Sequence, residues 1–293
     1  MKIKETPGSR FFQLVNTVLM LFVVVVTLYP FIYVLSSSLS DGAELMKAGR
    51  VILLPRGFSV KSYAEVFKNG MIVTGYANTL FVLMIGVPLN LLLTSFAAYF
   101  LSRRGIMLKK AVMIIIIITM YFNGGMVPFY LIVKDMGLYD SLWALILPVA
   151  INTYNMIIMR TAFEGIPASL EESAKIDGAQ DFTILFRIIM PLSLPTVAVM
   201  ILYYAVGHWN SWFNAMLFIK ERGRYPLQLV LREILIQNDT NSMTAGASTL
   251  DQVTIGESVK YAVIITATLP ILAVYPFLQK YFVKGVMIGA VKG

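Results

Sequence analysis

The densest group of carboxylates in the sequence is Glu171, Glu172, Asp177 and Asp181, with Lys175 set among them. Catalysis by such residues needs a pair of carboxylates, or a serine and a histidine, held within reach of one reacting atom. All the acidic residues of this chain lie in loops or at the edges of apolar segments. The sequence has no cysteine and a single histidine, His208, so it cannot build a Cys/His zinc site, a disulfide framework or a thiol nucleophile. It also lacks a G-x-x-x-x-G-K-[ST] phosphate loop, so it does not hydrolyse nucleotide by that route. No catalytic residue and no metal ligand is assigned, and the charged cluster needs an explanation other than chemistry on a substrate.

The elements that carry these charges are strongly apolar. Of 293 residues, 58% are hydrophobic and 14% charged, with a mean hydropathy of +0.75, whereas soluble domains carry about 25% charged residues. Six windows contain no Asp, Glu, Lys or Arg: they lie between Arg10 and Asp41, Lys68 and Arg103, Lys110 and Lys134, Asp140 and Arg160, Arg187 and Lys220, and Lys260 and Lys280. The shortest are 19 residues long, close to the roughly 20 that a spanning helix needs. The pattern predicts an all-α polytopic membrane protein with six transmembrane helices in one domain over 1–293. The spans are expected near 12–38, 74–101, 111–133, 141–160, 188–217 and 258–282. The first window follows Lys2, Lys4 and Arg10 and precedes Ser36, Ser37 and Ser38, as a signal peptide would. Its apolar run from Leu14 to Leu35 is nevertheless longer than the about 7–15 residues of a signal core, so it is expected to stay as the first helix.

Lysine and arginine near short loops set the orientation. The turn "SRRGIMLKK" holds Arg103, Arg104, Lys109 and Lys110, whereas the short loop after the third window holds only Lys134. Both termini, the 101–110 turn and the 161–187 loop are therefore expected in the cytoplasm, with outer loops at 40–73 and 218–257. The net charge of +8 suits anionic lipid headgroups, and no motif points to nucleic acid. Because the six windows carry no Asp, Glu, Lys or Arg of the kind that relays ions or protons, the energy for any transport is expected to come from another chain. A facilitative carrier or channel for small polar solutes remains the alternative, although neither internal inverted repeats nor mid-membrane charges are present.

The charged cluster sits in "EESAKIDGAQDFTILFRIIMPLSLP", residues 171–195. Pro167 suits the first turn of a helix, and Glu171 and Glu172 fall where the positive end of the helix dipole favours them. Leu170, Ala174, Gly178 and Phe182 recur every four residues, placing small residues at the centre of one face. Two readings fit: a helix with a charged rim seated in another protein's cleft, or an amphipathic interfacial helix that merely links two spans.

The same segment resembles the EAA signature of ABC importer permeases, which reads E-A-A, three residues, G, nine residues, I-x-L-P. Glu172, Ala174, Gly178, Ile188 and Pro191 match it, while Ser173 replaces the middle alanine and Met190 the leucine. "LPRGFSVKSYAEVF", "AAYFLSRR", "RTAFEGIP", "WNSWFNAML" and "GVMIGAVKG" extend the resemblance over nearly the whole chain. They are similar to the second permease of maltose-type carbohydrate importers, and more so to lipoprotein-linked oligo- and polysaccharide permeases. The resemblance implies a type I ABC importer permease in a bacterial cytoplasmic membrane, with a cytoplasmic coupling helix between helices four and five. Its partners would be a homologous second permease, two cytoplasmic ATPase subunits that hold ATP and Mg, and an extracytoplasmic sugar-binding lipoprotein. This chain would hold no cofactor. Glu171, Glu172, Ser173, Ala174, Asp177 and Gly178 would then couple to the ATPase. The resemblance also gives the 238–256 loop a role toward the binding protein, and Gly289–Gly293 a place between the ATPase subunits.

Polar residues in or beside the apolar windows are candidates for a substrate path. Asn152, Tyr154 and Asn155 lie in the fourth window, Asn123 in the third, and Trp209 and Asn210 late in the fifth. The asparagines could equally join helices by hydrogen bonds. Trp209, with His208 and Trp212, could equally belong to an interfacial aromatic belt.

Overall fold

The computed structural model describes residues 7–49, 51–103, 105–236, 256–274 and 276. Among them there is no strand, only an isolated antiparallel bridge between Ser40 and Phe58. The chain forms two compact units, one of Met1–Gly70 with Glu233–Leu269 and one of Met71–Arg232 with Pro270–Gly293.

The first unit is led by α1, Pro7–Ser38, a 32-residue apolar helix. Serines at the end of this helix and just beyond it form a hydrogen-bonded junction. Ser36 donates to Leu53 O at 3.0 Å, Ser40 donates to Ser36 O at 2.7 Å and accepts from Arg56 N at 2.9 Å. Asp41 caps α2, Gly42–Lys47, by accepting from Ala43 N at 3.0 Å. Helix α3, Lys61–Lys68, carries Ser62, which donates to Ser258 Oγ at 2.7 Å.

Helix α4, Gly70–Ser102, leads into the second unit. After it come α5, Lys109–Tyr121, and α6, Met126–Asp135, then two 3₁₀ turns over Leu142–Val149 and α7, Thr153–Glu164. Helix α8 is Ala168–Ile176, α9 is Asp181–Leu192 with a π stretch at Leu185–Ile189, and α10 is Leu194–Trp209. Helices α11, Trp212–Phe218, and α12, Leu227–Ile236, precede α13, Gly256–Val274.

Three helices are individually long and apolar enough to cross a membrane: α1, α4 and α13. The number rises to six if each of three bent pairs is one span. The pairs bend by 113° between α5 and α6, 48° between Leu142–Val149 and α7, and 90° between α9 and α10. Each break has a local cause. Gly125 adopts φ +88° and donates to the Asn123 side chain at 2.8 Å, closing a turn. Asn152 caps α7 by accepting from Asn155 N at 3.1 Å. Pro191 and Pro195 flank Ser193 at the third break, and a proline removes one helical N–H.

Candidate coupling site

The charged loop is positioned by a core in which α4, α7, α8, α9 and α10 all take part. Ala98 and Tyr99 of α4, Met159 and Phe163 of α7, Ala174 of α8, Ile184, Leu185 and Ile189 of α9, and Val197 and Met200 of α10 are buried together. Phe163 is fully enclosed, and truncating such a residue typically costs about 3–5 kcal/mol.

Arg103, just past α4, is the hub of the polar layer above this core. It pairs with Glu171 Oε2, donates through Nη2 to Phe163 O at 3.2 Å, and lies 4.8 Å from the centre of the Tyr99 ring. Glu171 uses its other oxygen on Lys175 Nζ at 2.9 Å. Tyr99 donates to Asp181 Oδ1 at 3.4 Å. A parallel set joins Glu164 to Lys109 at 3.1 Å and Arg160 at 2.7 Å, while Arg160 donates to Leu101 O at 3.1 Å. The end of α4, the following turn, the end of α7 and the start of α8 are thus tied together. Burial of the Glu171 carboxyl opposes its ionisation, but hydrogen bonds from Lys175 and Arg103 prevail and hold it below the usual glutamate value. The same balance, with Lys109 and Arg160 as donors, keeps Glu164 low.

The predicted coupling residues divide into two sets. Glu171 faces the network, and Ala174, 9% exposed, is part of the core. Glu172, Ser173 and Asp177 are exposed, and Ile176 beside them is 86% exposed. Helix spacing places Ser169, Glu172, Ser173 and Ile176 on one outward face. The four-residue stripe from Leu170 to Phe182 does not form a single outward surface. Its centre, Ala174, points inward, and α8 ends at Ile176 before Gly178 turns the chain at φ +82°. Neither Glu172 nor Asp177 is paired with a described cation, so this face is a charged surface with one large apolar side chain. A groove of about 530 Å³, lined by Phe96, Tyr99, Arg103, Lys175, Asp181 and Phe182 among others, runs alongside.

Residues 90–288 match the family described as binding-protein-dependent transport system inner membrane component. The chain belongs to that family. It is 41% identical over 290 residues to the polygalacturonan/rhamnogalacturonan transport system permease protein YtcP of Bacillus subtilis (strain 168), covering 97% of this chain and 99% of that one. It is also 41% identical to Protein LplC of the same organism, over 99% of this chain and 97% of LplC. Its fold superposes with a TM-score of 0.90 on a chain from the crystal structure of a bacterial ABC transporter involved in the import of the acidic polysaccharide alginate. That match has 37% identity and covers 96% of this chain and 100% of the other. As an ABC transporter permease, the protein is a non-catalytic membrane subunit, and nucleotide hydrolysis belongs to a separate chain.

The predicted substrate-path residues are scattered in this permease. Asn123 is occupied in its own turn, and Tyr154 is exposed. Trp209 is buried edge-on against Tyr76, with ring centres 6.3 Å apart, while Asn210 is exposed and donates to Val206 O at 3.0 Å. Asn152 and Asn155 alone line a common cavity. The 238–255 part of the outer loop and Gly289–Gly293 lie outside the described residues.

Asp140 was not singled out from the sequence, yet it pins the end of α11. At φ +56° its Oδ1 accepts from Lys220 N and Glu221 N, both at 2.9 Å, and its own N–H donates to Phe218 O at 2.8 Å. Those backbone donors hold its carboxyl below the usual aspartate value. An aspartate tolerating φ > 0 after "GLY" was the available signal.

Proposed function

We propose that this permease forms half of the translocation path of an ATP-driven importer of oligo- or polysaccharide and receives the power stroke through residues 161–187. The chain would pair with a homologous second permease. Two ATPase subunits would bind on the side of the 101–110 turn, and an extracytoplasmic sugar-binding protein would dock on the other. Both termini would be cytoplasmic. The observation that carries the coupling role is the asymmetry of α8. Its inner side is fixed by Arg103, Glu171 and the core, while its outer face offers Glu172 and Asp177, neither paired with a described cation, around exposed Ile176. A segment that only linked two spans would have no need of a rigid attachment to α4 and α7. A partner pressing on the outer face would move α4, α7 and α9 together. The carbohydrate reading draws support from YtcP, whose name gives a polygalacturonan and rhamnogalacturonan system, and from the alginate importer.

Glu172→Lys tests the assignment. It reverses a charge that none of the described residues holds in an ion pair, so insertion and folding are expected to stay normal. In the complete transporter, sugar uptake and the ATP hydrolysis linked to it should fall together. Normal uptake in Glu172→Lys would remove the coupling role from this face.

A further inference from the structure

The groove beside α8 changes character along its length. Arg103, Glu171, Lys175 and Asp181 form a charged rim, and Phe96, Phe100, Phe182 and Leu185 line it along α4 and α9. Phe96 comes seven residues before Arg103, at the end of a helix long and apolar enough to cross a membrane. At 1.5 Å per residue the wall therefore runs about 10 Å from the rim into the apolar segment. Its volume of about 530 Å³ lies within the roughly 300–1,000 Å³ usual for small-molecule sites.

The apolar wall is ordered yet open. Phe96 meets Phe182 and Phe186 edge-on, with ring centres 5.6 and 6.0 Å away, an arrangement that aromatic pairs prefer. Phe182 is nevertheless 65% exposed and Phe100 48%. An acyl chain laid along these rings takes their apolar surface out of water, which is favourable in proportion to the area covered.

The rim selects the headgroup that such a chain carries. Arg103 is committed within the protein: Nε donates to Ser102, Nη1 pairs with Glu171 and Nη2 donates to Phe163 O. Glu171 is committed too, with one oxygen on Arg103 and the other on Lys175. Lys175 and Asp181 have capacity left. Lys175 gives one of its three ammonium hydrogens to Glu171 at 2.9 Å. Its nitrogen lies 3.8 Å from Asp181 Oδ1, beyond hydrogen-bond distance. Asp181 receives a long hydrogen bond, 3.4 Å, from Tyr99, and both side chains are more than half exposed. The rim therefore presents one cation and one carboxylate side by side. A purely anionic headgroup would meet the carboxylate, and a quaternary ammonium would bring it no N–H. A phosphate followed by a primary ammonium complements both groups through charge-assisted hydrogen bonds.

We propose that this groove binds one phosphatidylethanolamine molecule from the leaflet on the side of the 101–110 turn. Its phosphate sits on Lys175, its ammonium on Asp181, and one acyl chain lies along Phe96, Phe100 and Phe182. The lipid bridges α4, α8 and α9, and its binding does not depend on which solute is carried.

The test titrates the complete transporter, stripped of lipid by detergent exchange, with dioleoyl phosphatidylethanolamine, phosphatidylcholine or phosphatidylglycerol, and counts bound lipids by native mass spectrometry. Wild type should take up one phosphatidylethanolamine at a concentration roughly tenfold lower than Asp181→Asn requires, the loss of a hydrogen bond to a charged group. Wild type should also bind it several-fold more tightly than the other two lipids. Phe100→Trp, which narrows the groove and leaves the rim intact, should weaken the same binding event. Asp135→Asn, outside the groove, should titrate like wild type. Only the mass of the assembled transporter is counted, so loss of complex is not read as loss of lipid. If wild type binds the three lipids alike, the rim does not select a headgroup and the proposal is overturned. It is overturned equally if Asp181→Asn and Phe100→Trp both titrate like wild type, since the lipid then sits elsewhere.

Discussion

At the scale of single residues, the Arg103–Glu171 pair decides whether the 161–187 loop is anchored. Both side chains are mostly buried, 15% and 12% exposed, so losing either leaves the other charge poorly solvated. Arg103→Ala or Glu171→Gln should each destabilise the detergent-solubilised transporter by roughly 1.5–3 kcal/mol, the usual range for a hydrogen bond to a charged group. The double variant should cost clearly less than the sum of the two. Additive losses, read from thermal unfolding, would mean that the pair does not act as a unit. The pair also gives a pH dependence of known sign. Because Glu171 is lowered from its reference value of 4.5, its contribution is complete above that value and disappears as pH falls through the lower folded-state value. Wild type should therefore lose stability more steeply than Glu171→Gln below roughly pH 4.5. The sequence showed that these charges belong to a loop between apolar segments. It did not show that Arg103, 68 positions away, would be the partner of Glu171, because no helical or strand periodicity reaches that far.

At the scale of elements, the uncharged windows located the apolar segments, but an average over a window does not register a turn inside it. The 113° bend between α5 and α6 comes from Asn123 closing a local turn with Gly125, and the 90° bend between α9 and α10 falls where two prolines flank Ser193. The α8 stripe failed for a related reason: four-residue spacing drifts around the helix, and the helix stops at Ile176. Gly178 then matters through its backbone. No atom lies within 4 Å of a Cβ built there, while its φ of +82° is one that L-residues rarely adopt. Gly178→Ala should cost about 1–2 kcal/mol of strain and little else. Gly178→Leu extends from a Cβ position with open space around it among the described residues, so a loss much larger than that of Ala points to a partner. Equal co-purification of the ATPase with the Ala and Leu variants would show that the turn is not at the interface. A several-fold lower recovery with Leu alone would place it there.

At the scale of the whole molecule, there are surfaces that the described residues do not cover. Among the described residues none of the apolar window of α1 is buried, and Ile176 stands exposed among charges on the outer face of α8. Lipid can cover α1, since hydrocarbon tails are as apolar as its side chains. Lipid cannot serve the α8 face, where Glu172 and Asp177 need an aqueous or protein surround. A subunit of this kind is stabilised by mass action when a partner binds its folded form, by about 2.7 kcal/mol at a hundredfold excess over Kd. For a chain of this size that corresponds to a rise of roughly 4–5 °C in Tm. The permease produced alone and extracted in detergent should therefore unfold at a temperature lower by about that amount than the same chain purified with a second permease and an ATPase, and in smaller yield. Glu172→Lys should abolish the part of the gain that comes from the ATPase and keep the part that comes from the second permease. A chain that is equally stable and monodisperse alone would fit a self-sufficient carrier, and the outer face of α8 would then need another explanation.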